Sequence, residues 1–212
     1  MLTESTVRDF VSELASNSPA PGGGSVAAIA GALGAALTSM VCNLTVGRKK
    51  YAAVQGELEG VLSASEKLRT AFLELVDEDA TAFNKVMTAL ALPKETDEQK
   101  QRRSDAIARE TKNATVVPLR VMELCEEAIR LTKTVAEKGN VNSISDAGVA
   151  ALMIHAGCLG AKFNVHINLG SLTDQIFIQE TSARAAQLSH QVETVSHEIL
   201  DLVNRSISPK HQ

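Results

Sequence analysis

Three consecutive acidic residues, Asp77-Glu78-Asp79, interrupt a long apolar helical pattern and are the first candidates for chemistry. Because residues two apart in a helix lie on different faces, at least one of Asp77 and Asp79 is expected to point towards the apolar side. A carboxylate there is paired, solvated at a cleft, or held with a raised pKa that suits proton transfer. The alternative is a solvated charged face, since Asp and Glu are mostly exposed.

A glycine-rich segment, Pro19–Ser25, stands directly before a helical pattern. Backbone N–H groups at a helix start favour negative charge, so this segment could hold a carboxylate or polarise a carbonyl. The alternative is a tight turn that leads a Gly- and Ala-rich helix into the core. It is not a Walker motif, because the Gly-Lys-Ser/Thr ending is absent. The candidate binding residues are Pro21, Gly22, Gly23, Gly24 and Ser25.

Amide and hydroxyl side chains flank a second Ala-rich pattern, beginning at about Ala147. Helix capping explains some of them, but there are more amides than capping requires. Side chains that both donate and accept hydrogen bonds suit a flat heterocycle with donors and acceptors along its edge. The candidates are Asn140, Asn142, Ser145, Asn164 and Asn168.

Two further clusters are weaker candidates. Arg48 and Lys49 follow the Gly/Ala helix, where cations complement the helix dipole, although they could also meet an anionic ligand tail. His190, Glu193 and His197 have the spacing of metal ligands on one helix. A di-metal bundle needs matching carboxylates on other helices, and none is apparent, so no metal site is expected.

The elements that must position these residues are helices. Aromatic residues make up only 3% of the 212 residues, and no alternating apolar strand is long enough to found a sheet. We expect one all-α domain over residues 1–212, a bundle of long antiparallel helices. Ser25 is expected to cap the second helix, Pro118 to kink or break the fourth, and residues 163–170 to form a loop or extended piece.

The last helix carries an apolar stripe that could pack within the bundle or against a second subunit. Its members are Leu188, Val192, Val195, Ile199 and Leu202. The long apolar run from Val26 to Val46 is interrupted by glycine and polar residues and is expected to fail as a membrane span.

Charge and cysteine content narrow the partners and the compartment. A net charge of −4 gives no large basic field, so nucleic acid is not an expected partner. Three cysteines without C-x-x-C spacing, and no signal-peptide pattern, favour a reducing cytoplasm.

Four ordered motifs resemble the cyclodeaminase domain of the formiminotransferase-cyclodeaminase family. They are PAPGGGSVAAIAGALGAAL from Pro19, DEDATAF with LPK after it, KGNVNSISDAGVA from Lys138, and FNVHINL from Phe163. The order and spacing of these motifs are similar to the family's over roughly residues 2–205.

The resemblance implies an all-α homodimer or higher homo-oligomer that acts on a tetrahydrofolate substrate, with no metal and no permanently bound cofactor. The family's acidic residue falls on Asp79, with Asp77 as the close alternative and Asp146 as a second candidate for proton transfer or for the pterin. The amides would then meet the pterin ring. A formiminotransferase or another folate enzyme could be a separate partner.

Two activities occur within this family. The resemblance favours cyclisation of 5-formiminotetrahydrofolate to 5,10-methenyltetrahydrofolate with release of ammonia, and the alternative is methenyltetrahydrofolate cyclohydrolase. Both reactions pass through a tetrahedral carbon that bridges two folate nitrogens, so a proton shuttle serves either. A more distant alternative is a helical oligomerisation module without catalysis.

Overall fold

Long helices account for most of the chain. The computed structural model describes residues 1–208, and this part contains no strand. Its six α-helices are α1 (Val7–Leu14), α2 (Gly23–Asn43), α3 (Gln55–Leu90), α4 (Asp97–Lys138), α5 (Ile144–Leu169) and α6 (Gln175–Ile207). Short 3-10 turns occupy Leu2–Glu4, Lys49–Val54 and Val141–Ser143. The predicted all-α helical bundle is confirmed.

Helices α2 to α6 pack with alternating directions. Gly24 and Ser25 near the start of α2 meet Asp79 late in α3, whereas Ser39 near the end of α2 bonds Ser65 earlier in α3. Helices α2 and α3 are therefore antiparallel. Helices α4 and α6 run parallel, because Lys112 bonds Asp174 at one end and Lys133 bonds Glu198 at the other.

Small residues allow α2 and α5 to approach closely at the centre of the bundle. A Cβ on Gly34 would overlap the Ile154 side chain, and one on Gly157 would lie 2.8 Å from the Ala27 carbonyl oxygen. Both glycines are therefore required by close backbone packing. Buried hydroxyls also pair across helices, with 2.8 Å between the Oγ1 atoms of Thr38 and Thr132.

All three cysteines are buried and free. Burial raises the pKa of the Cys42 thiol to about 11. Burial also raises the pKa of Cys125 well above its usual range, and its neighbour Cys158 on α5 adds to that shift. The thiols therefore act as small apolar groups in the core.

Three local expectations were wrong. The N-cap of α2 is Gly22, and Ser25 lies within the first turn, where its hydroxyl bonds another helix. Pro118 does not interrupt α4, which spans 42 residues and holds the proline buried in its interior. Residues 163–169 are helical, since α5 extends to Leu169 with Val165 and Leu169 buried.

The last helix packs its apolar stripe within the bundle, which was one of the two alternatives. Leu188, Val192 and Ile199 are almost completely buried. The charged residues of α6 therefore face outward or bond α4.

Helices α2 and α5 instead expose apolar side chains on their outer side. Length and hydropathy alone would let Gly23–Asn43 and Val141–Leu169 span a membrane, in contrast to the expectation for the first run. However, 61% and 44% of their most apolar windows are buried inside the protein, as in the core helices of many soluble proteins. The exposed members form the α2/α5 face: Val26, Leu33, Met40, Leu44, Val149, Leu152, Phe163 and Ile167.

Candidate functional site

A cleft of about 270 Å³ lies where the start of α2 meets the later parts of α3 and α5. The glycine-rich segment forms one wall, α3 and α4 form the floor, and the end of α5 forms the opposite wall. Its lining residues are Pro19, Ala20, Gly22, Gly23, Gly24, Asp79, Ala82, Phe83, Val86, Thr111, Ala114, Asn164, Asn168 and Ser171. The fold thus brings together residues from three of the four sequence motifs, with Thr111 and Ala114 of α4 beside them.

Asp79 is the ionisable residue that lines this cleft. Its Oδ2 accepts a hydrogen bond of 2.9 Å from the Ser25 hydroxyl, whose oxygen is also 3.3 Å from the Val76 carbonyl. Burial raises the pKa of Asp79, and hydrogen bonds from the hydroxyl and backbone N–H of Ser25 oppose that shift in part. A carboxyl group whose pKa is raised is better suited to give and take a proton during a reaction than an ordinary surface carboxylate.

Gly24 provides the space that the Asp79 carboxylate occupies. A Cβ built on Gly24 would overlap both carboxylate oxygens, whereas one on Gly22 would have no heavy atom within 4 Å. The absence of a side chain at Gly24 therefore lets the first turn of α2 reach the carboxylate. The N–H groups of Gly23 and Gly24 lie at the start of α2, where the helix offers them no partner, so they can donate to a ligand.

Asn164 and Asn168 lie one helical turn apart on the wall formed by α5. The amide nitrogen of Asn164 donates to the Gly160 carbonyl at 2.9 Å, and that of Asn168 donates to the Ala114 carbonyl of α4 at 3.1 Å. These bonds orient both side chains at the cleft. Their amide oxygens are not used in these bonds and can accept from a ligand.

Pro118 explains why the Ala114 carbonyl can receive Asn168. In a regular helix this carbonyl would accept the N–H of residue 118, but proline has no N–H. The proline inside α4 thereby leaves an acceptor that Asn168 of α5 satisfies.

Asp77 lies outside the cleft. Its two carboxylate oxygens accept the Leu2 backbone N–H at 2.7 Å and the Thr3 hydroxyl at 2.9 Å. It therefore anchors the N-terminal turn to α3. Pro21 is buried and does not line the cleft, although its neighbours Ala20 and Gly22 do. Ser25 does not line the cleft either, but its hydroxyl contacts Asp79, which does.

The remaining candidates collect at the opposite end of α2 and α5: Arg48, Lys49, Asn140, Asn142, Ser145 and Asp146. The 21 residues of α2 separate this far-end cluster from the cleft by about 30 Å. Asn140 is buried there and is engaged structurally, since its backbone N–H donates to Thr45 and its amide nitrogen to the Leu44 carbonyl. Within one chain, these residues do not meet Asp79.

Sequence reasoning missed Thr111, Ala114 and Ser171 as cleft residues. Thr111 and Ala114 are three residues apart and form a small, less polar face within a charged stretch of α4. That spacing is the sequence signal that could have placed them at an inward-facing site. The sequence around Ser171 contains no such signal, because the position of Ser171 depends on where α5 ends. Across residues 1–208, no three His, Cys, Asp or Glu side chains are grouped as metal ligands would be.

Comparison with known proteins agrees with these motifs over nearly the whole chain. The sequence profile described as Formiminotransferase-cyclodeaminase matches residues 6–187. The chain is 44% identical over 208 residues to the methenyltetrahydrofolate cyclohydrolase of Methylorubrum extorquens, with 98% of this chain and 100% of that protein aligned.

Two further relatives are named as cyclodeaminases. The formimidoyltransferase-cyclodeaminase of Rattus norvegicus is 37% identical over 193 residues, which cover 91% of this chain but only 36% of that protein. The crystal structure of formiminotetrahydrofolate cyclodeaminase from Thermotoga maritima superposes with a TM-score of 0.89 at 28% identity, and the match covers 98% of this chain and 100% of that one.

Proposed function

Because the chain belongs to the formiminotransferase-cyclodeaminase family and is an enzyme of folate one-carbon metabolism, we propose that it is a methenyltetrahydrofolate cyclohydrolase. The observation that carries this choice is the 44% identity to a cyclohydrolase that aligns over its entire length. The sequence motifs alone favoured the cyclodeaminase reaction, which becomes the second candidate. The enzyme relatives leave no support for a module without catalysis.

The proposed reaction adds water to the methenyl carbon that joins N5 and N10. Water attacks this cationic carbon and loses a proton, which gives a tetrahedral carbon with a hydroxyl group. The bond from that carbon to N5 then breaks, N5 takes up a proton, and the hydroxyl loses its proton to become the formyl carbonyl on N10. The net change consumes one water and releases one proton.

Asp79 is the group that moves these protons in our proposal. As a carboxylate it accepts the proton of the attacking water, and as a carboxylic acid it returns a proton to N5. Its ionised form also stabilises the cationic methenyl group. Burial raises the pKa of Asp79 and so makes its protonated form easier to reach, while the hydrogen bond from Ser25 stabilises its ionised form, and both effects support this double role.

The polar groups around Asp79 would bind and orient the pterin. The amide oxygens of Asn164 and Asn168 would accept from the N–H groups along its edge. The free N–H groups of the first turn of α2, at Gly23 and Gly24, would donate to ligand oxygen. Phe83 offers an apolar surface for the ring. We propose no metal and no permanent cofactor, with the tetrahydrofolate derivative as substrate.

The second candidate is formiminotetrahydrofolate cyclodeaminase, which the superposition on the Thermotoga maritima enzyme favours. Here N10 attacks the formimino carbon on N5 and its proton passes to the imino nitrogen, which becomes an amino group. One further proton lets the tetrahedral carbon expel this group as ammonia and leaves the cationic methenyl bridge. Asp79 would protonate that leaving amine. The same proton donor therefore serves both reactions, and what differs is the group lost from the bridging carbon.

Two parallel assays separate the candidates. The purified protein is given 5,10-methenyltetrahydrofolate in one and 5-formiminotetrahydrofolate in the other, while the methenyl chromophore and ammonia are followed. Loss of the chromophore faster than in buffer, with formation of 10-formyltetrahydrofolate, supports cyclohydrolase. Methenyl product with stoichiometric ammonia supports cyclodeaminase. If neither substrate reacts above the uncatalysed rate, both proposals fail.

We propose in addition that the chain forms a homodimer, or a higher homo-oligomer, through the α2/α5 face. Phe163 is 71% exposed and Ile167 is 73% exposed, although both are large apolar side chains. Exposed apolar side chains on two adjacent helices are typical of an association surface. A second copy is the occupant that we propose, because two copies of one apolar face can cover each other across a two-fold axis.

A two-fold contact across this face would also complete the active site. If the axis runs perpendicular to α2, the two copies of α2 lie antiparallel, and the far-end cluster of one subunit comes beside the cleft of the other. Arg48 and Lys49 at this end are exposed and are available to such a neighbour. This arrangement would give a shared role to Asp146, Asn142 and Ser145, which do not reach the cleft of their own chain.

We place the protein in the cytoplasm, which the three free, buried cysteines support. Its proposed partners are the folate substrate, a second copy, and a separate formiminotransferase or another folate enzyme. The chain spans about a third of the length of the bifunctional rat relative, so any such transferase would be a distinct domain or protein. Nucleic acid and membrane are not among the proposed partners.

A further inference from the structure

The Ser25 hydroxyl stands between two acceptors on α3. Its oxygen lies 2.9 Å from Oδ2 of Asp79 and 3.3 Å from the carbonyl oxygen of Val76. A hydroxyl group has one hydrogen to donate and two lone pairs that can accept. Ser25 therefore has a single hydrogen to divide between the carboxyl group and the carbonyl.

Ser25 is completely buried, so its choice of acceptor is confined to these two oxygens. The first turn of α2 comes this close to α3 because Gly24 has no side chain, and a Cβ at that position would overlap the Asp79 carboxylate. Buried hydroxyl groups in native proteins are hydrogen-bonded. The hydrogen of Ser25 is therefore expected to point at Asp79 or at Val76 in every state of the site.

Asp79 has no charged neighbour in the cleft that would compete with Ser25. Among residues 1–208, no other Asp, Glu, His, Lys or Arg lines the cleft from α2, α3, α4 or α5. On α3 itself, Asp77 bonds the N-terminal turn, and Glu78 pairs with Arg120 at 3.3 Å outside the cleft. Burial raises the pKa of Asp79, and the hydrogen bonds from Ser25 lower it in part. Ser25 is thus the side chain that responds to the proton on Asp79.

We infer that Ser25 is a positioning residue whose hydroxyl group changes acceptor when Asp79 gains or loses its proton. The inference rests on the proton transfer proposed above for Asp79. While Asp79 is ionised, the hydroxyl donates to its carboxylate, because a charged acceptor forms the stronger bond. Once Asp79 is protonated, the O–H bond turns to the Val76 carbonyl, and the Ser25 oxygen can accept from the carboxyl proton. Ser25 neither gains nor loses a proton, since only the direction of its O–H bond changes.

This exchange leaves no buried polar group unpaired in either protonation state of Asp79. A buried donor or acceptor without a partner destabilises the state in which it occurs. A donor held in one direction would stabilise the carboxylate alone and oppose its protonation. A hydroxyl with two acceptors instead serves both forms, which a carboxyl group that gains and loses a proton in each turnover requires.

Titration of the substrate-free protein tests the inference without requiring any reaction. Carbon NMR follows the Asp79 carboxyl resonance against pH in wild type, Ser25→Ala and Ser25→Cys, whose thiol is a weaker donor. Ser39→Ala is the matched control, because Ser39 also joins α2 to α3, through a 2.8 Å bond to Ser65. We expect the Asp79 midpoint to rise by about one pH unit in Ser25→Ala, by less in Ser25→Cys, and not at all in Ser39→Ala.

The Val76 carbonyl resonance tests the change of acceptor itself. In wild type it should move with the same midpoint as the Asp79 carboxyl, because the carbonyl gains a hydrogen bond when Asp79 is protonated. In Ser25→Ala this movement should be lost, apart from what the nearby change of charge causes. The control Ser39→Ala should behave as wild type.

The pH profile of kcat/KM extends the test to turnover. It should move to higher pH with the Asp79 midpoint in Ser25→Ala and stay in place in Ser39→Ala. An Asp79 midpoint that is the same in wild type and Ser25→Ala, or a Val76 response that is equal in the two, would overturn the inference. If Ser25→Ala does not fold, Ser25→Cys decides by the same comparison. A wild type that converts neither folate, with both NMR results retained, would instead overturn the proposed function and leave the role of Ser25 standing.

Discussion

At the scale of single residues, the proposed chemistry depends on one carboxylate and the glycine beside it. Asp79 is the member of the acidic cluster that faces the cleft, while Asp77 binds the N-terminal turn. Helical geometry predicted that the two would face differently, but not which of them would face a ligand. Which of them faces the cleft depends on the positions of Gly24 and Ser25 in α2. The periodicity of α3 gives no information about those positions.

Asp79→Asn should lower turnover by about a hundredfold to ten-thousandfold, because general acid-base assistance is worth that much. Since the folded-state pKa of Asp79 is raised, its ionisation destabilises the fold as pH rises through that pKa. Thermal denaturation across pH should therefore show the Asn variant matching wild type in acid and equalling or exceeding it at neutral pH. Asp77→Asn is the comparison and should retain turnover within a few-fold. Full activity of Asp79→Asn would remove it from the mechanism.

Gly24→Ala should damage both the site and the fold, since the new methyl group would overlap the Asp79 carboxylate. Overpacking of this kind typically costs about 1–3 kcal/mol, and displacement of Asp79 should reduce turnover at least about tenfold. Denaturant unfolding and steady-state kinetics measure the two effects. Gly22→Ala has open space around its Cβ and serves as the control. Similar behaviour of the two variants would mean that Asp79 adapts freely.

At the scale of helices, the types of the main elements could be predicted from the sequence, but not every boundary. The apolar repeats of α3 and α6 have the helical period, and the turn residues before α2 and α5 mark their starts. The end of α5 was missed because Phe163 and Ile167 are apolar yet exposed, so the pattern there lacks a clear inward face. In our proposal these side chains meet a second chain, and the periodicity of one chain does not encode such a contact.

Pro118 shows a second limit of local reasoning. Propensity predicts a kink or a break, at a cost of about 3 kcal/mol in a helix interior. The lost hydrogen bond is replaced in part from another helix, because Asn168 bonds the Ala114 carbonyl. Such compensation depends on the contact between α4 and α5, which no window of sequence around the proline reveals.

Pro118→Ala should leave the protein folded, with unchanged or higher thermal stability, and should raise KM about fivefold. The restored N–H would compete with Asn168 for the Ala114 carbonyl, and one hydrogen bond is worth about 1 kcal/mol. Michaelis kinetics with Asn168→Ala and the double variant complete a cycle. If Pro118→Ala raises KM equally in the presence and absence of the Asn168 amide, the effect does not pass through that side chain.

At the scale of the whole molecule, the two groups of candidate residues lie about 30 Å apart along α2. From the sequence motifs, both groups were predicted to lie in one site. The order of the motifs does not show at which end of a helix pair each motif lies. Antiparallel packing of α2 and α5 assigns Asn164 and Asn168 to the cleft and Asn140 and Asp146 to the opposite end. Association of two chains is the proposed way to reunite them.

Leu33→Glu/Phe163→Glu should convert the proposed dimer into monomer, because two buried carboxylates per subunit would have to be desolvated at the contact. Light scattering at assay concentration measures the mass, and activity should fall with it. Ala186→Glu, at an exposed position of α6, is the control and should remain dimeric. A wild-type protein that is monomeric and fully active would contradict both the contact and the shared site.

The burial of the three thiols has a practical consequence for observing this association. With the Cys42 pKa at about 11 and that of Cys125 also raised, neither thiol forms much thiolate at neutral pH, and neither is open to solvent. A maleimide dye should therefore not label the native chain, but it should react with a cysteine introduced at an exposed position such as Ala186. Fluorescence energy transfer between labelled subunits could then report exchange of partners in real time, with every native cysteine left in place.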